Sequence, residues 1–269
     1  MISLKADGAK FWDKNPCGGN WQDYRQFMNW YLATEAYLPG LLEGMDLQNK
    51  RCLDVGCGQG VMCNLAAQKH ARMVGLDMSF NSLQAARQGA RELGNDEQIH
   101  FVQGDAENLP FRNAAFETLI SIGVLHHTPS IEKSIQSIQH ALQENGQITV
   151  MLYRRGNPKW WATITIRTIS RWMKKFSGKK RLSHTDADAP HGTALQELLD
   201  VPIMNAYSNH ECMQLFAAFH DVSITNYQPG FARMIDFMPW LKIFGRLLRW
   251  IDIKCQQIWG FYQVIKARK

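Results

Sequence analysis

The sequence predicts an α/β protein. Its expected core is a Rossmann-like, seven-stranded, mostly parallel sheet flanked by helices, with an N-terminal helical cap and a helical insertion after strand five. Three observations support this fold class. Short apolar runs alternate with amphipathic stretches over residues 50–153, which is typical of a parallel sheet covered on both faces. The first apolar run ends in a turn with three glycines. The chain has 269 residues, of which 45% are hydrophobic, and it can therefore bury one large core.

The alternating region predicts five strands, each short, apolar and followed by a turn or a helix. They cover residues 51–55, 72–77, 98–103, 116–122 and 147–153. Ser79 is expected to cap a helix that runs to about residue 93, because a serine side chain accepts otherwise unpaired N–H groups. Residues 130–142 form another amphipathic helix, which we expect Asn145 and Gly146 to end.

Segments of a different kind flank this region. Residues 11–47 predict helices rich in tryptophan and tyrosine, interrupted at Pro39 and Gly40. Residues 160–176 and 240–254 each predict an amphipathic helix with basic residues on one side and large apolar residues on the other.

The remaining segments complete the expected domain. Residues 184–196 are polar and loop-like, whereas residues 221–227 and 258–267 predict strands six and seven. We therefore expect one domain over residues 1–269. Its parts are a helical cap (1–48), a ligand-binding core (49–153), a basic helical insertion or lid (154–220), and C-terminal strands with an amphipathic helix (221–269).

Composition argues against several classes of protein. We find no apolar run long enough for a signal peptide or a transmembrane helix. The six cysteines include no Cys-x-x-Cys pair, so no metal site is predicted, and we expect reduced thiols in a cytoplasmic protein. Residues 1–153 carry 12 basic and 16 acidic residues, but residues 154–269 carry 18 and 8. The second part is therefore strongly basic.

The glycine-rich turn, LDVGCGQG at residues 53–60, is the most specific motif. Asp54 lies near the end of the predicted strand, and Gly56, Gly58 and Gly60 follow at alternate positions. Glycines permit a sharp turn and let a ligand approach the backbone at a helix N-terminus. The third glycine comes one residue too early for the G-x-G-x-x-G turn of dinucleotide sites, and no lysine follows as in a phosphate-binding P-loop.

Two further acids follow the next two strands. Asp77 ends strand two, where a carboxylate can accept both hydroxyl groups of a ribose. Asp105 and Ala106 follow strand three, where a side chain and a backbone N–H can contact the edge of an adenine ring. Asp77 alone does not distinguish between nucleotide cofactors.

Five motifs together resemble the core of the class I S-adenosylmethionine-dependent methyltransferases, and most closely their small-molecule branch, which includes quinone and sterol C-methylases. The resemblance is close over residues 50–153. One departure is LQENG at residues 142–146, where the family often has Leu-Lys-Pro-Gly-Gly. In order, the motifs are LDVGCGQG, GLDMS, GDAENLPF, FETLISIGVLHH and HALQENGQITVMLY.

The resemblance implies S-adenosyl-L-methionine as cofactor and a small molecule as methyl acceptor. It implies that Asp54 and the three glycines hold the methionine part, that Asp77 takes the ribose, and that Met78 packs on the adenine. Asp105 and Ala106 would then fix the adenine edge. At the end of strand four, the residues near the sulfonium would be Ile122 and Gly123.

The acceptor side is less specific. His126 and His127 follow strand four, where the related fold places its acceptor, and an imidazole suits a general base. His127 is the better candidate, because Thr128 and Pro129 turn the chain there; packing or capping is the alternative role for both. Candidate residues lining the acceptor site, for which plain packing is the alternative, are Trp21, Tyr24 and Tyr153.

The basic helices leave the partner open. A solvated helix face, a lid for an anionic or amphipathic acceptor, and peripheral contact with a membrane are all consistent with them. Nucleic-acid binding is the weakest option, because no recognised RNA module accompanies the basic charge. The main alternatives are therefore a membrane-surface methyltransferase acting on a lipid or quinone, and a non-catalytic or RNA-associated cofactor-binding module.

Overall fold

A computed structural model describes residues 2–177, 200–229 and 243–269. Its centre is a seven-stranded sheet with the strand order β3-β2-β1-β4-β5-β7-β6, which confirms the predicted fold class. The strands are β1 (Arg51–Val55), β2 (Arg72–Asp77), β3 (Ile99–Gln103), β4 (Phe116–Ile122), β5 (Leu142–Tyr153), β6 (His220–Tyr227) and β7 (Tyr262–Arg268).

Strand direction determines where a site can form. The pairs β1–β2, β1–β4, β2–β3 and β4–β5 are parallel, so the carboxyl ends of β1 to β5 meet at one edge of the sheet. Strand β7 runs antiparallel to both β5 and β6. Its first residue, Tyr262, therefore pairs with Tyr153, the last residue of β5, at that same edge.

Helices cover both faces of the sheet, and two large apolar clusters form the core between the helices and the sheet. Ser79 caps its helix as predicted, since its side chain accepts the N–H of Ser82. None of the described helices combines the length and the apolar character needed to cross a bilayer. They are α1 (Ile2–Lys14), α2 (Tyr24–Thr34), α3 (Leu38–Leu41), α4 (Val61–Ala67), α5 (Phe80–Leu93), α6 (Ile131–Ala141), α7 (Pro158–Ser177), α8 (Asn209–Leu215), α9 (Gly245–Trp259) and a 3-10 turn (Leu125–His127).

Several local predictions were wrong. Pro39 and Gly40 belong to α3 instead of breaking a helix, because a proline in the first turn has no N–H that needs a partner. Asn145 and Gly146 lie within β5, which begins at Leu142 directly after α6. Asn145 adopts a φ of 61° there, a conformation that asparagine tolerates.

The C-terminal elements also differ from the sequence expectation. Ile258 belongs to the last turn of α9, and β7 begins only at Tyr262. Helix α8 was not predicted, although Ser208 and Glu211 form a capping box at its start. The predicted loop at residues 184–196, and Trp240 at the start of the second basic helix, lie outside the described residues.

Helix α7 has both arcs that the sequence indicates, and the structure shows which residues pack. Trp161 and Trp172, on the apolar arc, are exposed, whereas Ile164 on the same arc packs against the core. Arg167, on the basic arc, is buried, and its guanidinium donates to the carbonyl of Val201. A guanidinium can be buried in this way when a carbonyl accepts from it.

Candidate active site

The glycine-rich turn lies at the carboxyl end of β1 and leads directly into α4. Gly60 is the N-cap of α4, with a φ of 81°, and Gly58 has a φ of 52°. Both values favour glycine over any residue with a Cβ. Apart from the chain neighbours of Gly58, no atom of the described residues lies within 4 Å of the position that a Cβ would take there. The turn is therefore open there to a ligand that presses against its backbone.

Asp77 faces this turn from the end of β2. One carboxylate oxygen accepts the N–H of Gly58 at 2.8 Å, and the other accepts the N–H of Ser79 at 2.8 Å. Burial raises the pKa of Asp77, while these backbone donors oppose that rise. Each oxygen keeps a second lone pair, so the carboxylate can still accept hydroxyl groups of a ligand.

Asp54 is the buried acid of the site, with 2% of its surface exposed. The thiol of Cys63, in α4, donates to its carboxylate over 3.4 Å. Burial raises the pKa of Asp54 to about 7; the Cys63 thiol opposes this shift and the negative charge of Asp77 adds to it. A cation placed beside Asp54 would favour the ionised form.

Asp105 follows β3 and is paired with the N-terminal helix. Lys5 of α1 lies 2.6 Å from a carboxylate oxygen of Asp105 and 2.6 Å from one of Glu107. The second oxygen of Asp105 accepts the N–H of Glu107, and Ala106 between them is buried. Glu107 also accepts the N–H of Ser130 at 2.6 Å, which fixes this loop against the start of α6.

Helix α1 spans the edge of the sheet that carries these acids. At its C-terminal end Asp13 accepts from the Ser79 hydroxyl at 2.8 Å, and Lys5 holds its other end to the loop after β3. Between them, the ring of Trp12 lies 5.3 Å from the ring of His127. Sequence reasoning missed these contacts, because charges and a tryptophan on a short amphipathic helix give no signal of their own.

The segment after β4 brings the acceptor-side residues to the glycine turn. Gly123 adopts a φ of 78°, and among the described residues beyond its neighbours a Cβ there would meet only the end of the Met151 side chain, at 3.5 Å. At Gly56 a Cβ would clash with a methyl group of Val124. The first glycine therefore lets the segment after Ile122 pack directly against the turn.

The two histidines have different environments. The Nδ1 atom of His127 lies 2.7 Å from the carbonyl oxygen of Ile203. Because a carbonyl can only accept, Nδ1 carries the hydrogen, and in the neutral ring Nε2 is the basic nitrogen. His126 is fully buried, and neither ring nitrogen has a hydrogen-bond partner within the described part of the chain. Burial, with the neighbouring His127, holds its pKa well below the usual range.

Aromatic rings surround this pair. The ring of Tyr153 lies 3.8 Å from that of His126 and 5.8 Å from that of His127, between centroids. A cavity of about 360 Å³ opens beside the same strand end. Its lining includes Trp160, Met204, Arg155 and Tyr207.

Trp21 and Tyr24 lie in a different part of the molecule. They pack with α2 in a separate apolar cluster, which does not include Tyr153. The Tyr24 hydroxyl donates to the carbonyl of Gln59 at 2.6 Å, so this ring supports the glycine turn from the outside. The structure therefore does not bring Trp21 and Tyr24 together with the histidines, unlike the expectation from sequence.

The residues present fit an adenosyl ligand. The open position at Gly58 admits a ligand to the backbone, and Asp77 has lone pairs for a ribose. Asp105 follows β3, the strand that pairs with β2, so it offers a second acceptor at the neighbouring strand end. The family resemblance inferred from the motifs thus has a matching geometry.

Comparison with known proteins identifies the family. The model of a family described as "Methyltransferase domain" matches residues 46–216, which is more than half of the chain. Norajmaline N-methyltransferase of Rauvolfia serpentina is 29% identical over 109 residues, which cover 40% of this chain and 37% of that protein. Ubiquinone biosynthesis O-methyltransferase of Escherichia fergusonii is 29% identical over 161 residues, which cover 60% and 63%. The matches thus span less than two thirds of either relative.

A solved structure shows the same fold over nearly the whole chain. Geranyl diphosphate C-methyltransferase of Streptomyces coelicolor A3(2) superposes with a TM-score of 0.63 at 15% identity, covering 98% of this chain and 97% of that one. That structure contains S-adenosyl-L-homocysteine. With the family match and the glycine turn, the chain belongs to the methyltransferase domain family, among the class I S-adenosylmethionine-dependent methyltransferases.

Proposed function

We propose that this protein transfers a methyl group from S-adenosyl-L-methionine to a small-molecule acceptor by in-line displacement. The observation that carries the proposal is the grouping at one sheet edge of the open glycine turn, Asp77 and Asp105. When bound, the cofactor supplies a methyl group on a positively charged sulfur, which is already activated for displacement. The protein's task is then mainly to hold and align the reacting groups.

The cofactor would be held at the ends of the first three strands. Asp77 would accept the ribose hydroxyls through its remaining lone pairs. Asp105 and the N–H of Ala106 would contact the adenine edge, with Met78 against its face. Asp54 in its ionised form would face the cationic amino group, with Gly56, Gly58 and Gly60 allowing close approach.

The acceptor would enter beside the end of β4. Ile122 and Gly123 would lie near the reacting carbon, and Tyr153 would line the acceptor side. His127 would take a proton from an acceptor hydroxyl through Nε2, because the Ile203 carbonyl holds the hydrogen on Nδ1. His126, kept neutral by burial, would pack behind it or act as the alternative base.

The acceptor itself is proposed only by class. The matched relatives act, by their names, on norajmaline and on an intermediate of ubiquinone biosynthesis, so a small organic molecule is the acceptor that they support. Arg155 at the cavity beside β5 is a candidate contact for an anionic or amphipathic acceptor. Its guanidinium is paired with Glu211 in this structure, so such an acceptor would have to compete with that carboxylate.

Calorimetry with S-adenosyl-L-homocysteine tests the cofactor site. We expect micromolar-range binding as an order of magnitude, weakened about a hundredfold in Asp77→Ala, since a carboxylate bonded to two hydroxyls contributes a few kcal/mol. Asp96→Ala changes an exposed acid in the loop before β3 and is the matched control. Equal affinity of Asp77→Ala and wild type would contradict the assignment of the site.

A second measurement separates enzyme from binding module. The protein is incubated with cofactor labelled on its methyl group and with an extract of small metabolites, and labelled products are separated by mass. We expect label in at least one small molecule. Cofactor binding without any labelled product, together with retention of RNA at physiological salt, would support the non-catalytic alternative instead.

A further inference from the structure

Helix α7 exposes large apolar side chains along one face. Trp161 and Trp172 each have 62% of their surface exposed, and Ile169 has 51%. These residues are 8 and 11 positions apart from Trp161, so they follow one side of the helix. The opposite side, with Trp160 and Arg167, is the one that packs against the protein.

Helix α9 shows the same arrangement. Its exposed apolar residues include Leu247, Trp250 and Ile258, at 51%, 57% and 67%. Their spacing again follows one side of a helix. Gly245 is the one buried residue of α9 among those described, so the protein covers little of this helix.

The two helices meet at the sheet edge that carries the candidate active site. Arg154, just before α7, donates to the carbonyl of Ile258 in the last turn of α9. Lys159, in the first turn of α7, lies 4.2 Å from the ring centroid of Phe261, directly after α9. The start of α7 and the end of α9 therefore lie side by side, next to the carboxyl end of β5.

Basic residues accompany both faces. The sequence of α7 contains five basic residues and no acidic one, and that of α9 contains three basic residues and one acidic one. Arg171 in α7, and Arg246 and Arg249 in α9, are exposed. Tryptophan and aliphatic side chains flanked by arginine and lysine are the composition of helices that lie in the interface of an anionic membrane.

We propose that these two faces form a docking surface for an anionic lipid membrane. The docking surface consists of Trp161, Ile169, Trp172, Leu247, Trp250 and Ile258. The apolar side chains enter the headgroup region, and the flanking arginines contact lipid phosphates. A second copy of the chain is a poorer occupant, because it would bring two basic faces together. The proposal does not depend on methyl transfer.

Vesicle co-sedimentation tests this proposal. We expect the protein to bind vesicles of phosphatidylcholine with phosphatidylglycerol at low salt, and to bind vesicles of phosphatidylcholine alone at least about tenfold more weakly. Raising the salt concentration should release the protein from the mixed vesicles, because screening weakens the contacts of the arginines.

Two double variants separate the apolar and the charged contributions. Trp161→Ala with Trp250→Ala should weaken binding about tenfold or more, whereas Met213→Ala, at an exposed residue of α8, should not. Arg246→Glu with Arg249→Glu should abolish the preference for phosphatidylglycerol, whereas Arg112→Glu, in the loop before β4, should leave it. Unchanged thermal unfolding and unchanged binding of S-adenosyl-L-homocysteine confirm that each variant is folded.

Three outcomes would overturn the proposal. One is the absence of vesicle binding at low salt, and another is equal binding to neutral and anionic vesicles. The third is a concentration-dependent dimer, seen by light scattering without lipid, that the tryptophan variants abolish while wild type shows no vesicle binding. That result would assign the same faces to a second copy of the chain.

Discussion

Two surfaces of the molecule differ in how their side chains are placed. One is formed by the ends of strands β1 to β4, and the other by helices α7 and α9. At the strand ends, Asp54 is buried and each oxygen of Asp77 accepts a backbone N–H. On the helices, tryptophans face outward among arginines, and Gly245 is the one residue of α9 that is buried among those described. We propose that the first surface binds the cofactor and that the second contacts a membrane.

The residues at the strand ends belong to the motifs shared with the family, whereas the two exposed helices lie outside those motifs. The cofactor side depends on glycines at fixed positions and on acids that follow successive strands. The proposed acceptor side lies at the end of β5, beside the cavity at Arg155 and the two exposed helices, and neither the cavity nor the helices carry one of the five motifs. Mutations should therefore act in different ways on the two sides.

Asp54→Asn should give the largest effect, and it acts on stability. Because burial raises the pKa of Asp54 from 3.8 to about 7, the folded protein holds a proton there that the unfolded chain releases. Stability from this group is therefore present at low pH and is lost as pH rises from about 4 to about 7, by up to about 4 kcal/mol. The free energy of unfolding of the variant minus that of wild type, measured with urea, should therefore be larger at pH 8 than at pH 5.

The same variant should bind the cofactor more weakly at pH 8, since it lacks the negative charge that would face the amino group. Asp96→Asn, at an exposed position, is the control and should change neither property. If the stability difference between wild type and Asp54→Asn were the same at both pH values, Asp54 would not be the group that titrates.

His127→Asn addresses the acceptor side alone. An asparagine amide can still donate to the carbonyl of Ile203 but cannot take a proton. We expect turnover to fall about a hundredfold, with cofactor affinity unchanged. Turnover of labelled methyl groups and calorimetry measure the two effects; an unchanged rate would remove His127 as the base.

Gly58→Ala should act on the cofactor side alone. Its Cβ would enter the open space in front of the turn, where we propose that the ligand lies, and affinity should fall roughly thirtyfold. Gly94→Ala is a matched control, because Gly94 also has a positive φ, of 73°, and open space around it. Both variants should lose about 1 kcal/mol of stability, measured by urea unfolding. Equal cofactor affinity in the two would contradict the placement.

Lys5→Ala should have the smallest effect. The Lys5–Asp105 pair is partly exposed, and such pairs contribute up to about 1 kcal/mol, so the affinity for S-adenosyl-L-homocysteine should fall about fivefold at most, mainly through faster dissociation. Stopped-flow measurement of dissociation tests this, with Lys10→Ala on the same helix as control. Identical dissociation rates in both variants would mean that α1 does not retain the ligand.

Much of the fold and of the cofactor side follows from local signals. The bounds of β1, β2 and β4 agree with the apolar runs, because a buried parallel strand needs such residues at every position. The glycine turn and Asp77 are recognisable because backbone geometry and ligand chemistry restrict the residue types.

Other features depend on tertiary contacts that no local pattern records. The position of α1 over the strand ends depends on Lys5 and Asp13 finding partners about 100 and 66 residues away. Tyr24 could not be assigned from sequence either, since only the fold places it against Gln59. The amphipathic pattern of α7 predicts an apolar and a basic side but not which residues pack inward. Arg167 is buried because the carbonyl of Val201 accepts from it, and the local sequence does not record this contact.

The contact between Gly56 and Val124 has a thermodynamic consequence. The glycine turn cannot shift without displacing the segment that carries His126 and His127, since a Cβ-sized object does not fit between them. If two ligands on opposite sides of this contact are coupled, each changes the other's affinity by the same factor. An acceptor that binds more tightly when the cofactor is present must therefore also slow the cofactor's escape or speed its capture, so filling one half of the site helps to fill the other.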